Sequence, residues 1–566
     1  MEHITYTDRG KRKVMTVDEF MALDVSSDSD DGLDFDDFSD EDPTVNPKDL
    51  ESSDSDNEPE TTVKKDTMHY HNQYYNYLHP TSFSKYFFTD EIVSEIEDET
   101  NLYSTQKNPN KTVNCTVYDI HKFIGICILS SLAPPTCVRD LWNDVYDIDL
   151  VKETMSERHF EKLHSSLHFN DNAKTTDHQS PDHDKLYKIR PILDYLNQRC
   201  LSVPMSERLS IDEQMCATKA RHHMKMHMKD KPHKWGYKLY VLCGDMGFAH
   251  KSEIYSGQEN DPKFRRDGEP DFGASGNVVI RLSREIPRNQ NYKLYFDRYY
   301  KSLNLSVYLF QQGIQCVGTI QRNRIPNCKF RNDQELKKEP RGFSEEFSTN
   351  FESVDISTVL YKDNSNVAFL STFVGKMPKS EARRFDRKKK QHIMVPCPAV
   401  VSVYNSHTGN VDLLDSNIGR HHIKVRSKRW YMRLFFHLVD TIVINAWILY
   451  QKMLKETDRT DPSMTQKMFR TILAETLCRV GPELKKHGRP STSDPIETKR
   501  IKHKGSSLPT KDVRLDPLNH WPIWNAKRTT CKHPNCKGYT YVMCEKCKVN
   551  LCLNKDKTAF VHSTTD

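Results

Sequence analysis

Two short apolar segments that each end on an aspartate constrain the fold of this chain more than any other feature. Leu209 and Ile211 lie on one face of a predicted strand that runs into Asp212. Residues 292–297 form a second apolar strand, which ends on Asp297. A carboxylate at a strand end is rigidly held, and a rigid oxygen ligand is what a divalent metal site requires. For either aspartate alone, a solvated turn is the ordinary alternative.

Two further carboxylates lie in a segment that we predict to start a helix. Asp412 and Asp415 stand three positions apart within residues 409–415, so both lie on one helix face. Four such carboxylates together favour a metal site over a set of unrelated turns.

Charge is divided unevenly along the sequence. Residues 24–60 contain 16 Asp and Glu against one Lys, a net charge of −15, so the rest of the chain carries +20 against a total of +5. We predict that residues 1–70 form an acidic disordered tail, because this composition buries too little apolar surface to offset the entropy of ordering. The basic remainder favours nucleic acid as a partner over a merely soluble basic surface.

The longest apolar run, residues 434–453, is interrupted by polar side chains. Because it contains His437, Asp440 and Asn445, we predict a buried helix rather than a membrane span and expect no membrane partner. We also expect no secretory signal, since residues 1–14 are polar and charged. Fifteen Cys in such a chain indicate a reducing compartment, where clustered cysteines bind metal more often than they form disulfides.

Residues 71–206 have helical periodicity, with helices predicted in segments 117–132, 155–167 and 187–201. We predict an all-α domain that scaffolds the protein or contacts a partner.

The segment after the first aspartate combines lysines with an aromatic residue. Lys231, Lys234, Trp235 and Lys238 suit contacts to a nucleic-acid backbone together with base stacking. Two alternatives stay open. Trp235 can equally be a core residue, and residues 221–234, rich in His and Met, can bind metal, although their adjacent histidines cannot easily serve one tetrahedral ion.

Six motifs follow one another in a fixed order. They occupy residues 211–214 (IDEQ), 231–236 (KPHKWG), 296–302 (FDRYYKS), 318–323 (GTIQRN), 411–415 (VDLLD) and 428–430 (KRW). Together they resemble the motifs of the piggyBac family of transposases and of the proteins derived from piggyBac transposable elements. The resemblance extends from about residue 74 to the C-terminus.

The resemblance implies an α/β protein with an RNase H-like catalytic core of the DDE/D type. Asp212, Asp297 and Asp412 would be its catalytic triad on two Mg²⁺, with Asp415 assisting. Two metal ions about 3.5–4 Å apart can activate the attacking oxygen of a phosphodiester cleavage and stabilise the leaving oxygen. The resemblance also implies cut-and-paste transposition of double-stranded DNA at TTAA sites, by a homodimer that holds both element ends.

The same resemblance divides the chain into domains. They are a helical dimerisation and DNA-binding domain (71–206 and 423–481), a catalytic core (207–324 and 397–422), an insertion domain (325–396), a linker (482–517) and a cysteine-rich zinc domain (518–566).

Several motif positions complete the predicted DNA contacts or depart from the family. Arg298, Lys428, Arg429 and Trp430 join the DNA-contacting set. Arg298 and Lys301 replace the usual Asn and Thr, and Gln replaces Arg at position 321. Because these are positioning residues, the departures put the efficiency of the reaction in doubt more than the type of reaction.

The C-terminal segment has the ligand spacing of a zinc module. Its candidate ligands are Cys531, Cys536, Cys544, Cys547, Cys552 and His562. Paired thiolates hold Zn²⁺ tetrahedrally, and so short a segment needs metal to fold. The resemblance implies a cross-braced, two-zinc domain that binds transposon ends, with His520 as a further ligand. Ala559 stands where the family usually has Cys, so we expect one or two ions, with His533 or water completing the weaker site.

We therefore predict a nuclear DNA transposase of the piggyBac type, or its domesticated descendant. Basic clusters within residues 383–390 and 499–504 are candidate nuclear signals or phosphate contacts. The alternatives are a sequence-specific DNA-binding protein without catalysis and a zinc-dependent adaptor. Four intact aspartates favour the enzyme, whereas the missing zinc ligand favours the non-catalytic binder.

Overall fold

The computed structural model describes residues 3–8, 11–16, 79–135, 137–143, 148–177, 180, 182–229, 231, 233–257, 259–327, 329–386, 390–456, 463–481, 514, 520–533, 536–554 and 559. The chain divides into two compact units. The smaller, residues 1–77 with 221–223, contains the antiparallel hairpin of β1 (His3–Asp8) and β2 (Lys11–Thr16). The rest of the predicted acidic tail and nearly all of the predicted linker lie outside the described residues.

The larger unit contains the other helices and strands. The helices are α1 (Pro80–Phe87), α2 (Asp90–Lys107), α3 (Val117–Leu132), α4 (Asp149–Thr154), α5 (Glu157–Ser166), α6 (Arg190–Leu201), α7 (Gly273–Ser283), α8 (Leu303–Gln311), α9 (Asp333–Lys338), α10 (Ala399–His407), α11 (Asn410–Arg420), α12 (Trp430–Glu456) and α13 (Gln466–Cys478). The strands are β3 (Arg208–Ala217), β4 (Lys225–His227), β5 (Trp235–Cys243), β6 (Ala249–Ile254), β7 (Lys293–Phe296), β8 (Gln315–Ile320), β9 (Ser344–Phe351), β10 (Val354–Lys362), β11 (Asn366–Ser371), β12 (Ser380–Asp386), β13 (Gln391–Cys397), β14 (Pro522–Thr530) and β15 (Tyr539–Cys544).

Helix α3 is the centre of the helical layer. Thr116 and Asp119 form a capping box at its start, in which each side chain bonds the other's backbone N–H. At Gly125 the helix meets α13 so closely that an added Cβ would lie 2.9 Å from the Leu477 Cβ. Helices α12 and α13 thus return to the N-terminal helices and share one hydrophobic core with them.

Helix α12 is the only described helix long and apolar enough to cross a membrane by length and composition. Within this protein, 83% of its most apolar window is buried. The helix therefore buries its apolar surface in the shared core, as the sequence predicts.

A buried ion pair links three helices of this core and the segment between α11 and α12. The Arg470 guanidinium of α13 is fully buried and donates to Asp440 Oδ1 of α12 at 2.5 Å. The other carboxylate oxygen of Asp440 accepts from the Ile423 backbone N–H at 2.9 Å. Arg470 also donates to the Ser131 hydroxyl of α3 at 3.2 Å.

We expect Asp440→Asn to destabilise the helical domain by about 3–5 kcal/mol, because it leaves a buried guanidinium without its counter-charge. The double variant Asp440→Leu with Arg470→Met should lose much less stability, since it removes both charges. Urea denaturation followed by circular dichroism measures the two losses. An Asp440→Asn protein as stable as the wild type would mean that water reaches the guanidinium.

The central sheet has nine strands and mixed direction. Its order is β4-β5-β3-β7-β8-β11-β10-β9, with β6 paired to β5 on the same side as β4. Strands β3, β7 and β8 run parallel, and β5, β6 and β11 are antiparallel to their neighbours. The helical layer covers one face around β3 and β5, while α7 and α8 cover the other.

The segment predicted as an insertion domain lies partly within this sheet. Strands β9, β10 and β11 form an antiparallel meander that pairs with β8 and extends the central sheet. Strands β12 and β13 form a separate hairpin before α10. The chain therefore passes from the second predicted aspartate to the third through an extension of the sheet.

Candidate active site and zinc module

Parallel pairing of β3 and β7 brings the first two aspartates together. Ile211 is in register with Phe296, and the residue that follows each of them is a candidate ligand, Asp212 within β3 and Asp297 just after β7. Neighbouring strands lie about 4.8 Å apart, so the two carboxylates leave the sheet side by side. Buried Leu209, Ile211 and Phe296 fix this register from the α7 and α8 side.

Helix α11 packs against β3 and carries the other two carboxylates. Its buried residues Val411, Leu414 and Ile418 pack into the shared core, which sets the rotation of the helix. Asp412 and Asp415 lie in its first two turns. The Asp412 side chain is 67% exposed, whereas Asp415 is half-buried.

Lys231 connects the strand and helix carboxylates. Its Nζ lies 3.2 Å from Asp412 Oδ1 and 4.0 Å from Asp212 Oδ2. One ammonium therefore bridges β3 and α11, and the first and third predicted catalytic aspartates lie in one cluster.

Asp297 is held by groups from β8 and from its own loop. Its Oδ1 accepts from the Thr319 hydroxyl at 2.6 Å and from the Arg298 backbone N–H at 2.5 Å. Tyr404 of α10 lies beside this network. Burial, with a contribution from the Asp297 charge, raises the pKa of its phenol to about 12, although its hydrogen bond with Thr408 acts in the opposite direction. These contacts orient one carboxylate oxygen and leave the other for a further ligand.

The four aspartates, which we call the acidic cluster, have little positive charge near them. Burial raises the pKa of Asp212 well above its ordinary value, and burial raises the pKa of Asp415 to about 6. Among the described residues, Lys231 supplies the only ammonium within 4.0 Å of the four carboxylates. A buried carboxylate ionises readily only when a cation lies close to it. This set of oxygen donors therefore fits a divalent ion such as Mg²⁺.

Sequence reasoning overlooked Glu213, Thr319 and Tyr404. Glu213 pairs with the Lys238 ammonium at 3.2 Å. Burial would raise the pKa of Glu213, but its hydrogen bonds with Asp212 and Lys238 outweigh burial and lower it. The position of Glu213 next to Asp212 and that of Thr319 within motif 318–323 were signals that could have identified these two residues. No sequence signal marked Tyr404.

The predicted DNA contacts divide into exposed and buried side chains. Lys234, Arg298 and Lys428 are exposed, and Trp235 is 36% exposed with its ring 4.6 Å from that of His227.

The other predicted contacts serve the protein interior in this structure. Lys238 is 8% exposed, with its ammonium on Glu213 and over the Tyr240 ring. The Arg429 guanidinium donates to the carbonyls of Leu167 and His164, and the Trp430 ring packs against the shared core. Lys238 and Arg429 therefore do not present their charges to a ligand here.

Lys301, one of the departures from the family, is fully buried. Its Nζ lies 3.1 Å from Cys316 Sγ and 4.4 Å from the centre of the Phe296 ring. Burial lowers the pKa of this lysine. It thus fills space beneath the β7 strand end and is not available to DNA.

The C-terminal module brings its cysteines into two groups. His520 joins Cys544 and Cys547, and the second group contains Cys531, Cys536 and Cys552. Within each group the ligand atoms lie within 4.8 Å of one another. The groups interleave in sequence, which is a cross-braced arrangement.

Each group offers three ligand atoms from the described residues, which suits Zn²⁺ with a fourth ligand to be supplied. His562 lies outside the described residues. Ala559 is buried in the same small core as the cysteines, where a cysteine would have added a thiolate.

The comparisons with known proteins agree with this arrangement. The sequence model of the family described as Transposase IS4 matches residues 79–447. The human PiggyBac transposable element-derived protein 3 is 28% identical over 478 residues, which cover 83% of this chain and 74% of that protein. The human PiggyBac transposable element-derived protein 2 is 27% identical over 460 residues, covering 80% and 72%.

A solved structure has the same fold. A chain in the cryo-EM structure of a piggyBac transposase synaptic complex with hairpin DNA aligns with a TM-score of 0.58 at 22% identity, covering 85% of this chain and 98% of that one. Because the family match spans more than half of the sequence and these relatives carry the piggyBac name, this chain belongs to the Transposase IS4 family and is one of its piggyBac-type members.

Proposed function

We propose that this protein is a cut-and-paste DNA transposase that cleaves and joins phosphodiesters at TTAA sites, with Asp212, Asp297, Asp412 and Asp415 as its metal-binding carboxylates. The observation that carries the proposal is the convergence of these residues. Asp212 and Asp297 leave adjacent parallel strands, and Lys231 ties Asp212 to Asp412. An RNase H-like core is supported by the order β6-β5-β3-β7-β8, with three antiparallel strands followed by two parallel ones.

The carboxylates would hold two Mg²⁺, which activate the attacking oxygen and stabilise the leaving oxygen of an in-line displacement. Asp212 would contribute oxygens from the middle of β3 and Asp297 from the end of β7, and Thr319 fixes the Asp297 carboxylate through Oδ1. Asp412 would bring a solvent-facing oxygen from the first turn of α11, and Asp415 would assist from the next turn of the helix.

Double-stranded DNA is the proposed substrate, and the solved piggyBac transposase relative is described in a complex with hairpin DNA. Exposed Lys234, Arg298 and Lys428 would contact its backbone. Two DNA ends must be held for integration, so we propose a homodimer that acts in the nucleus. The cysteine-rich module, with one or two Zn²⁺, would bind transposon ends.

A non-catalytic DNA-binding protein derived from a transposase is the second candidate. Ala559 at a usual zinc-ligand position and Lys301 buried beneath the Asp297 strand end are the observations that favour it. Two of the relatives are themselves named as element-derived proteins.

An excision assay with matched terminal repeats separates the two candidates. The enzyme should remove a marker flanked by the repeats and leave an intact TTAA site, and it should lose this activity in Asp297→Asn. Binding of the repeats with no excision and no nicking of a pre-cut end in Mg²⁺ or Mn²⁺ would establish the non-catalytic protein.

Affinity for duplex DNA should fall at least about tenfold between about 50 and about 200 mM salt, because lysine contacts to phosphates release counterions. Replacing the exposed Lys234 by Gln should reduce the slope of log affinity against log salt by about one unit. The buried Lys238→Gln provides the comparison, since its charge does not face solvent. An affinity independent of salt would favour the zinc-dependent adaptor.

A further inference from the structure

We propose that Lys231 is a positioning residue that holds the metal-free acidic cluster together and releases it to divalent cations when a DNA phosphate becomes its partner. The inference rests on the proposed function, because it takes the carboxylate cluster to be the metal site. It assigns Lys231 a role in coupling metal binding to DNA binding, beyond a simple contact to the DNA backbone.

The position of the ammonium is the first support. Lys231 and Asp412 are 181 positions apart in sequence, yet Nζ lies 3.2 Å from Asp412 Oδ1. The same Nζ is 4.0 Å from Asp212 Oδ2, and the lysine side chain is only 15% exposed. Lys231 therefore lies between the strand carboxylate and the helix carboxylate, where a bridging cation would be expected.

Lys231 and a divalent ion cannot both use these oxygens. Mg²⁺ binds carboxylate oxygens at about 2.0–2.1 Å and needs them free of a second cation. An ammonium in contact with the same oxygen would repel the ion strongly in this half-buried site. Metal binding therefore requires the lysine to move, and the lysine lowers the apparent affinity for the metal.

The side chain of Lys231 itself allows such a movement. Between β4 and β5, the Met228 N–H donates to the Lys234 carbonyl at 2.8 Å. The lysine reaches the cluster from the loop through a flexible four-carbon stem. Exposed Lys234 and Trp235 flank it, so DNA that follows this edge brings phosphates within reach of Lys231.

The coupling must be reciprocal. If DNA draws Lys231 away from Asp412, DNA raises the affinity for the metal, and the metal raises the affinity for DNA by the same factor. Without DNA, the carboxylates would stay paired with Lys231 and the protein would bind the metal weakly. It would bind the metal tightly only when DNA is bound.

The inference is tested by titrating Mn²⁺ into the zinc-loaded full-length chain. The electron paramagnetic resonance signal of free Mn²⁺ measures how much of the ion is bound. Asp212→Asn identifies the ions that belong to the cluster. Lys231→Gln should bind those ions about three- to tenfold more tightly than the wild type. Lys338→Gln, which alters an exposed lysine on α9, should not change the affinity. Lys231→Arg keeps the charge and should not show the gain, and circular dichroism of each variant confirms its fold.

Repeating the titration with a short DNA duplex completes the test. The duplex should tighten Mn²⁺ binding in the wild type and in Lys338→Gln, and much less in Lys231→Gln. Asp212-dependent Mn²⁺ binding that is unchanged or weakened in Lys231→Gln would overturn this inference and leave the proposed function standing. No Asp212-dependent Mn²⁺ binding in any variant would overturn both.

Discussion

Asp212→Asn, Asp297→Asn and Asp412→Asn should each lower the rate of DNA strand cleavage by at least about a thousandfold. An amide is a poor ligand for Mg²⁺, and each aspartate enters the cluster from a different element, so none can take the place of another. Single-turnover cleavage of a terminal-repeat duplex in Mg²⁺ measures the loss. Equilibrium DNA binding, measured without divalent cations, should stay within about threefold of the wild type, since the substitutions remove negative charge and no phosphate contact.

Two comparisons sharpen this prediction. Asp415→Asn should cost less activity than the other three, because the resemblance gives Asp415 an assisting role on the second turn of α11. Asp98→Asn, on the exposed face of α2, makes the same chemical change far from the cluster and should leave cleavage unaltered. Full cleavage by any one of the first three variants would remove that residue from the site.

The sequence was most informative where the signal is local. Helix α3 begins and ends where the pattern predicts it, Val117–Leu132, because the capping pair Thr116 and Asp119 lies next to an apolar run. The two other predicted helices were found two or three residues shorter at their starts, as Glu157–Ser166 and Arg190–Leu201. Helix ends depend on capping contacts, which apolar periodicity does not encode.

The juxtaposition of side chains could not be predicted in the same way. The strand before Asp297 ends where the sequence predicts, but the prediction for Asp212 was wrong, because β3 continues to Ala217 through its pairing with β5. The register that places Asp212 beside Asp297 depends on packing against α7 and α8. The Lys238 ammonium was expected at a DNA surface, yet Glu213, which lies across the β3–β5 pair, takes it into the interior. A contact between side chains of two different strands can be predicted only once the strand order and register are known.

Removing zinc should unfold the cysteine-rich module while the catalytic body remains folded. The module, residues 518–566, is far shorter than the roughly 70–80 residues below which an apolar core alone seldom stabilises a fold. Its small core is made largely of the ligands themselves, with Cys531, Cys544, Cys547 and Cys552 all buried. Without metal these thiols have no bond to hold the two groups together. Limited proteolysis of the full chain after chelation should therefore cut within this module first.

The two zinc groups should differ in affinity. Cys547→Ser and Cys552→Ser each remove a ligand from a different group, so each should release a different ion. Ala559 offers no lone pair, so the group it adjoins must take a fourth ligand from water or from His533, and it should lose its ion first to a competing chelator. Metal content by mass spectrometry during chelator titration distinguishes one tight and one weak ion from two equal ions.

Ala559→Cys gives the test in the opposite direction. If the missing thiolate causes the weakness, this single substitution should raise the affinity of the weak site at least about tenfold and leave the tight site unchanged. Ala559 is buried among the cysteines, so a thiol there starts within the module core. Two ions of indistinguishable affinity in the wild type, or no gain from the cysteine, would show that another residue already completes both sites. No bound zinc at all would separate this module from the DNA-end recognition proposed for it, and recognition would then have to come from the helical domain.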